Sequence, residues 1–415
     1  MIDDPDFLYL KTINTYLWPV KLIVMKKLRF SLVQLIIIIC LTAGQNIAVF
    51  GQDLSKTPTS KTMNETYPGG SFYQVQHYDQ LKTRKHPKNI ILMIGDGMGL
   101  AHAYSAMTAN GGHLFLENFR YCGFSKTYSA DRYVTDSAAG GTALACGTKT
   151  YNGAIGVDPE KKPVENIREK AEKKGLKTGL VVTTLITDAT PAVFVAHVAS
   201  RKSLEDIAAD FLKTNIDVFI GGGAANFENR ADGRNLSKEL KDKGYQVLYN
   251  VSDIKNVKSG KLAGLTAQGG NPVMPERGEM LVPSTETAIN LLSQGKKGFF
   301  LMVEGSEIDH LAHQNNASGV VMEALDFDKA IGAALNFAAK NKETLVVVTA
   351  DHETGGMTLL DGDYKTGKVS AKFTTGGHTG VVVPVYAFGP GADQFTGFME
   401  NIDIQKKMCK LLGLN

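Results

Sequence analysis

The chain is 415 residues long, 43% hydrophobic and 21% charged, with a formal charge of +3 at neutral pH. This composition supplies a large core and excludes a disordered chain, and so small a net charge gives no reason to expect nucleic acid as a partner. Of the four cysteines, Cys122, Cys146 and Cys409 lie beyond the N-terminal 51 residues, and three cysteines do not make a disulfide framework.

The first predicted element is an export signal rather than part of the fold. Met25, Lys26, Lys27, Leu28 and Arg29 form a basic region, and residues 30–43 are apolar except for Ser31, Gln34 and Thr42. Such a stretch is short for a spanning helix and suits a secretory signal. Cleavage after Gly51 would start the mature chain at Gln52, removing Cys40 and the single tryptophan, Trp18. The expectation is an upstream extension and signal over residues 1–51 and one catalytic domain over 52–415. The mature chain would be exported to the periplasm or the medium with no membrane span. A retained anchor is the alternative.

From Asn89 onward a pattern repeats: an apolar run, a carboxylate at its end, then a turn. Residues 89–96 end at Asp96, residues 298–304 at Glu304 and residues 344–351 at Asp351. Continuous apolar runs of this length read as strands buried on both faces of a parallel sheet. Further strands are predicted at 178–186, 217–220, 245–249 and 382–388. Helices are predicted at 138–146, 164–174, 204–213, 286–294 and 319–340, with loops at 226–237 and 255–277. The alternation predicts an α/β fold, a three-layer sandwich whose mostly parallel central sheet is flanked by helices. Ligands of such sheets bind beyond the carboxyl ends of the strands, and carboxylates gathered there repel unless a cation neutralises them.

Residues 134–147 begin with Val134, Thr135, Asp136 and Ser137 and continue as small residues to Gly147. Asp136 or Ser137 reads as a helix N-cap, and a serine there lies at the positive end of the helix dipole. Asp309 and His313 are four apart and share one face of a helical turn, where both can grip one metal. Asp351 and His352 end a strand, and His378 sits in a turn flanked by Gly376, Gly377 and Gly380. With Asp96 these give three Asp and three His, an inventory that suits two zinc ions with open positions better than one closed site. Asp188 and Thr190, after the strand 178–186, join Glu304 as hard oxygen ligands of the kind magnesium takes, although Asp188 to Pro191 alone reads as a capped turn. Arg201 offers a planar fork for two phosphate oxygens.

These motifs together resemble the alkaline phosphatases, from about Asn89 to His378: Gly95 to Gly99, Thr135 to Gly140, Asp188 to Pro191, Glu304 to His313, Thr349 to His352 and Gly376 to His378. The resemblance implies a phosphomonoesterase with Ser137 as nucleophile and Arg201 as phosphate clamp. It implies one zinc at Asp309, His313 and His378, a second at Asp96, Asp351 and His352, and one magnesium at Asp96, Asp188, Thr190 and Glu304. It also implies phosphate monoesters as substrates, a phosphoserine intermediate, alkaline working pH and a homodimer. His310 stands where some relatives carry lysine or tryptophan. The short interval from His352 to His378 leaves little room for the insertion of larger relatives, so the chain resembles the compact bacterial members. Rival readings are a phosphodiesterase of the same superfamily, a sulfatase, which would need a modifiable motif absent here, and a non-catalytic phosphate or metal binder, which would need no nucleophile such as Ser137.

Overall fold

The computed structural model describes residues 65–81 and 86–414; the expected leader, residues 1–51, lies outside the described residues. Ten strands form the central sheet: β1 Asn89–Gly95, β2 Tyr121–Lys126, β3 Lys177–Leu185, β4 Val218–Gly222, β5 Tyr245–Leu248, β6 Lys261–Leu265, β7 Phe299–Gly305, β8 Thr344–Thr349, β9 Val383–Phe388 and β10 Gly397–Glu400. Their order is β10-β2-β9-β8-β1-β7-β3-β4-β6-β5. Strand β9 runs against β2 and β8, and every other pairing is parallel.

The unbroken apolar runs are explained by what lies on each side. Ile90, Leu92 and Ile94 of β1 enter one core with Leu144 and Phe211, while Ile91 and Met93 enter a second with Leu292 and Phe327. Alternate side chains therefore face two helical layers, one containing Ser137–Cys146 and Leu204–Phe211, the other Leu281–Leu292 and Ala317–Asn341. The expected three-layer α/β sandwich is what the chain forms.

Some local expectations need correction. The loop expected at 255–277 contains β6, which pairs with both β4 and β5. Gly264 hid this strand: its Cβ would stand 2.7 Å from Ile254 Cδ1, so packing requires glycine where strand propensity disfavours it. The helix expected at 286–294 starts at Leu281, and the other expected loop, 226–237, overlaps the ends of two short helices, Ala224–Glu228 and Leu236–Asp242. Strands β2 and β10 and the helices Leu100–Ala109 and Asn401–Leu412 were not expected. A separate three-stranded sheet joins Thr66–Tyr67, Lys368–Phe373 and Met357–Asp363. No described helix is long and apolar enough to cross a membrane.

Strand register sets the position of the acidic groups. Glu304 of β7 lies opposite Ile94 of β1 and Val182 of β3, and Ile94 lies opposite Thr349 of β8. Glu304 in that row, and Asp96 and Asp351 two residues past it, thus gather at one edge of the sheet. Because β9 is reversed, its beginning meets that same edge, which is how His378, five residues before Val383, arrives there.

Candidate active site

The Ser137–Cys146 helix is buried throughout, which its small residues allow. A Cβ on Gly140 would lie 2.9 Å from the Asp351 carbonyl oxygen and 3.2 Å from Asp351 Cβ. The helix is held at both ends. Asp136 caps its start by accepting from Ala139 N at 3.0 Å, and Gly147, at φ +68°, closes its end by donating from its backbone N to Ala143 O. Ser137 is only 3% exposed, and its Oγ stands 3.1 Å from His352 Nε2.

Two groups of ligand-type atoms adjoin it. Asp309, His313 and His378 form the first: His313 Nε2 is 3.3 Å from Asp309 Oδ2, and His378 Nε2 is 3.5 Å from Asp309 Oδ1. The expected helical spacing of Asp309 and His313 is realised in the helix Glu307–His313. Asp96, Asp309 and His352 form the second, with Asp351 Oδ2 and Asp96 Oδ1 at 3.3 and 3.4 Å from His352 Nε2. Asp309 is therefore common to both groups, a sharing that spacing could not reveal.

The outer nitrogens of these rings are engaged. His313 Nδ1 contacts Gly376 O at 2.7 Å, and His378 Nδ1 contacts Thr135 O at 2.9 Å. A carbonyl can only accept, so both rings donate from Nδ1 and turn the Nε2 lone pair inward. Thr354, which the sequence did not single out, donates to Asp309 Oδ1 and lies 3.2 Å from His352 Nδ1.

The hard-oxygen group lies beside the second set. Thr190 Oγ1 donates to Asp96 Oδ2 at 3.1 Å, and Asp188 caps the helix Ala189–Ala192 through Ala189 N. Glu304 is buried in β7. Arg201 donates to Asp136 Oδ2 at 3.3 Å and to Asp188 Oδ1 at 3.2 Å. His310 Nδ1 is 2.8 Å from Glu307 Oε2. Burial of the ring opposes its protonation, but Glu307, helped by Asp309 and Asp188, pushes it up to about 9.

Charge at the site is unbalanced in a way that fits cations. Burial, then the charges of Asp351, Asp309, Glu304 and Asp188, holds Asp96 well above the usual carboxylate range. Burial likewise raises Glu304, with Asp188 and Asp351 adding to it, and Asp351 is pushed up to about 7 by burial and Asp309. Burial also works against Asp309, but His313, His378 and His352 outweigh it and keep its carboxyl well below the usual range. His352 is held far below the ordinary imidazole range by burial and the neighbouring His378, and burial lowers His378. Asp96 Oδ1, Glu304 Oε2 and Asp351 Oδ2 are buried without a hydrogen bond among the described residues. Imidazole nitrogens facing unsatisfied carboxylate oxygens are a donor set that divalent cations satisfy, and it fits the expected metals.

Comparison with known proteins agrees with this geometry. Residues 87–374 match the family model described as alkaline phosphatase. Alkaline phosphatase 4 of Bacillus subtilis (strain 168) is 37% identical, over 82% of this chain and 92% of its own length. The solved alkaline phosphatase of the Antarctic bacterium TAB5 superposes with a TM-score of 0.77 at 42% identity, covering 80% of this chain and 100% of that one. A mutant of the TAB5 enzyme with magnesium bound in its M3 site superposes at 0.76 and 41% identity, with the same coverage.

Proposed function

Because the chain belongs to the alkaline phosphatase family and is a phosphomonoesterase, we propose that it hydrolyses monoesters in two displacements through a phosphoserine at Ser137. The observation that carries this reading is the placing of Ser137: buried at a capped helix start, 3.1 Å from His352 Nε2, beside an Asp136 that holds Arg201. Ser137 Oγ gives up its proton and bonds to phosphorus as the bond to the leaving oxygen breaks. That oxygen takes a proton from solvent, and water then cleaves the serine ester, restoring the Ser137 hydroxyl and releasing inorganic phosphate. Amides at the helix start add positive potential where charge develops. Arg201 spends one N–H of each terminal nitrogen on Asp136 and Asp188, and each nitrogen keeps a second for a phosphate oxygen. A diester blocks one of those oxygens, which favours monoesters.

Asp309, His313 and His378 would hold one zinc, and Asp96, Asp351 and His352 a second, with Asp309 in reach of both. Asp96, Asp188, Thr190 and Glu304 would hold magnesium, a metal that the TAB5 mutant carries. These ions, when bound, neutralise the carboxylates, draw charge from the phosphoryl oxygens and lower the cost of ionising a hydroxyl at alkaline pH. Residues 52–415 would form the catalytic domain, exported by the leader in 1–51. A homodimer is supported by the exposed Leu100, Tyr104, Leu360 and Tyr364, with the two tyrosine hydroxyls 2.6 Å apart. Sedimentation of the parent and of Leu360→Glu tests it: a parent that sediments as a monomer rejects the dimer.

The test of the chemistry is acid quenching during turnover of an aryl monoester, followed by mass mapping. Phosphate on Ser137, absent from Ser137→Ala, supports the double displacement. No covalent phosphate at any pH, with Ser137→Ala as active as the parent, rejects it. Parallel assays on an aryl diester and an aryl sulfate separate the rival readings.

A further inference from the structure

The segment from Thr150 to Ile155 lies between the two parts of the site that grip phosphate. On one side it binds the approach to Ser137. Thr150 O accepts from Ala130 N at 2.8 Å, and Asn152 N donates to Asp131 Oδ1 at 3.0 Å. The Asn152 side chain goes further: Nδ2 donates to Val134 O at 3.1 Å, and Oδ1 accepts from Asp136 N at 3.3 Å. A carboxamide thus satisfies the two backbone groups that flank Thr135, as a neighbouring strand would. Thr135 O in turn receives His378 Nδ1.

On its other side the segment binds the approach to Arg201. Gly153 O accepts from Arg201 N at 2.8 Å, and Tyr151 OH donates to Ala199 O at 3.1 Å. Ile155 and Val198 exchange backbone bonds of 3.0 and 2.9 Å. Gly153, at φ +89°, makes the turn between the two sets, a conformation that other residues adopt at a cost.

We infer that this segment is a splint fixing the separation of nucleophile and arginine, with Asn152 as a positioning residue for phosphate-ester hydrolysis. The inference rests on the roles proposed above for Ser137 and Arg201. The hydrogen bonds of Asn152 go to Asp131, Val134 and Asp136, none of them a proposed metal ligand, so its effect is geometric. Alanine leaves Val134 O and Asp136 N without partners. Aspartate keeps the shape but turns a donor into an acceptor facing the Val134 carbonyl.

The experiment uses the metal-loaded enzyme, an aryl phosphate as substrate and inorganic phosphate as inhibitor. Asn152→Ala raises KM and the phosphate inhibition constant about tenfold each and lowers kcat, while metal content stays that of the parent. Asn152→Asp shows the same direction and serves if the alanine variant fails to fold. A purely structural role would shrink the active fraction and leave KM and the inhibition constant unmoved. In the double variant with Arg201→Ala, phosphate inhibition is no weaker than in Arg201→Ala alone, since a lost arginine has no position left to lose. Constants within twofold of the parent, or additive losses, overturn the splint. Ser137→Ala and Arg201→Ala are assayed beside it. If they fail to impair hydrolysis, the underlying reading falls and the splint with it. If they impair it while the Asn152 variants match the parent, the splint alone falls.

Discussion

Arg201 Nη1 donates to Asp136 Oδ2 across 3.3 Å, which ties the arginine to the residue directly before Ser137. Asp136 uses its other oxygen, Oδ1, to cap the Ser137 helix, so one carboxylate orients both residues proposed to grip phosphate. Preorganisation of this kind predicts how the site fails when its parts are removed.

Arg201→Ala should be a partial lesion. The loss is one bidentate charged contact, roughly 2–3 kcal/mol at most, or one to two orders of magnitude in kcat/KM. Preference for monoesters over diesters should fall with it. Arg201→Lys should restore little, because a point charge cannot bridge Asp136, Asp188 and two oxygens at once. Kinetics on an aryl monoester and diester check both statements; unchanged selectivity would make Arg201 structural.

Metal analysis after chelation and zinc return should separate two ligands. Asp309 adjoins both groups of donors, whereas His313 belongs to one. His313→Ala should therefore lack about one zinc, and Asp309→Asn should lack about two. A deficit of one in both variants would mean that the shared position of Asp309 has no energetic weight.

Gly140→Ala should destabilise the site from behind. The added methyl meets the Asp351 backbone at 2.9 Å, a contact that cannot swing aside. Overpacking of this sort costs about 1–3 kcal/mol. A lowered thermal midpoint with reduced activity is expected. A midpoint equal to the parent's would show that the helix can shift to make room.

A pH-dependent contribution to stability lies away from the site. His197 faces Gly156 O at 2.6 Å and Glu169 Oε1 at 3.0 Å, so both nitrogens donate only in the cation. The Glu169 hydrogen bond, against burial, raises this imidazole above its ordinary 6.5. A raised folded value means that the stabilisation is complete below about pH 6.5 and is lost as pH climbs through the folded value. His197→Gln should lower the thermal midpoint more at pH 6 than at pH 9. An equal drop at both would show that the ring is neutral throughout.

Much of this was legible because the chemistry ends long buried strands. The apolar runs before Asp96, Glu304 and Asp351 announced themselves, and the four-residue interval of Asp309 and His313 was helical arithmetic. What stayed hidden depends on contacts between segments distant in sequence. Thr354 is an ordinary threonine until Asp309 and His352 converge on its hydroxyl. Asn152 was not singled out, since its partners Val134 and Asp136 lie sixteen or more positions away. Strands β2 and β6 contain glycines demanded by neighbours, which blunts the local signal.

The reversed strand β9 brings His378 to the site through a short pairing, Glu353 with Thr379 and Thr354 with His378. Gly355 N reaches Gly377 O at 2.8 Å, and Thr374 N reaches Gly355 O at 2.9 Å, so the chain is fastened just beyond the two histidines. Between these fastenings the Met357–Asp363 and Lys368–Phe373 hairpin packs inward, with Met357, Ala371 and Phe373 in the second core and Val369 against Ala109 and Val321. Its turn is packed as well: a Cβ on Gly69 would collide with Thr366 O, and one on Gly367 would stand 2.6 Å from Ala109 O. An insertion at residues 364–367 would therefore disturb Tyr104 and Gly69 before it altered the spacing of His352 and His378, which the clasp fixes.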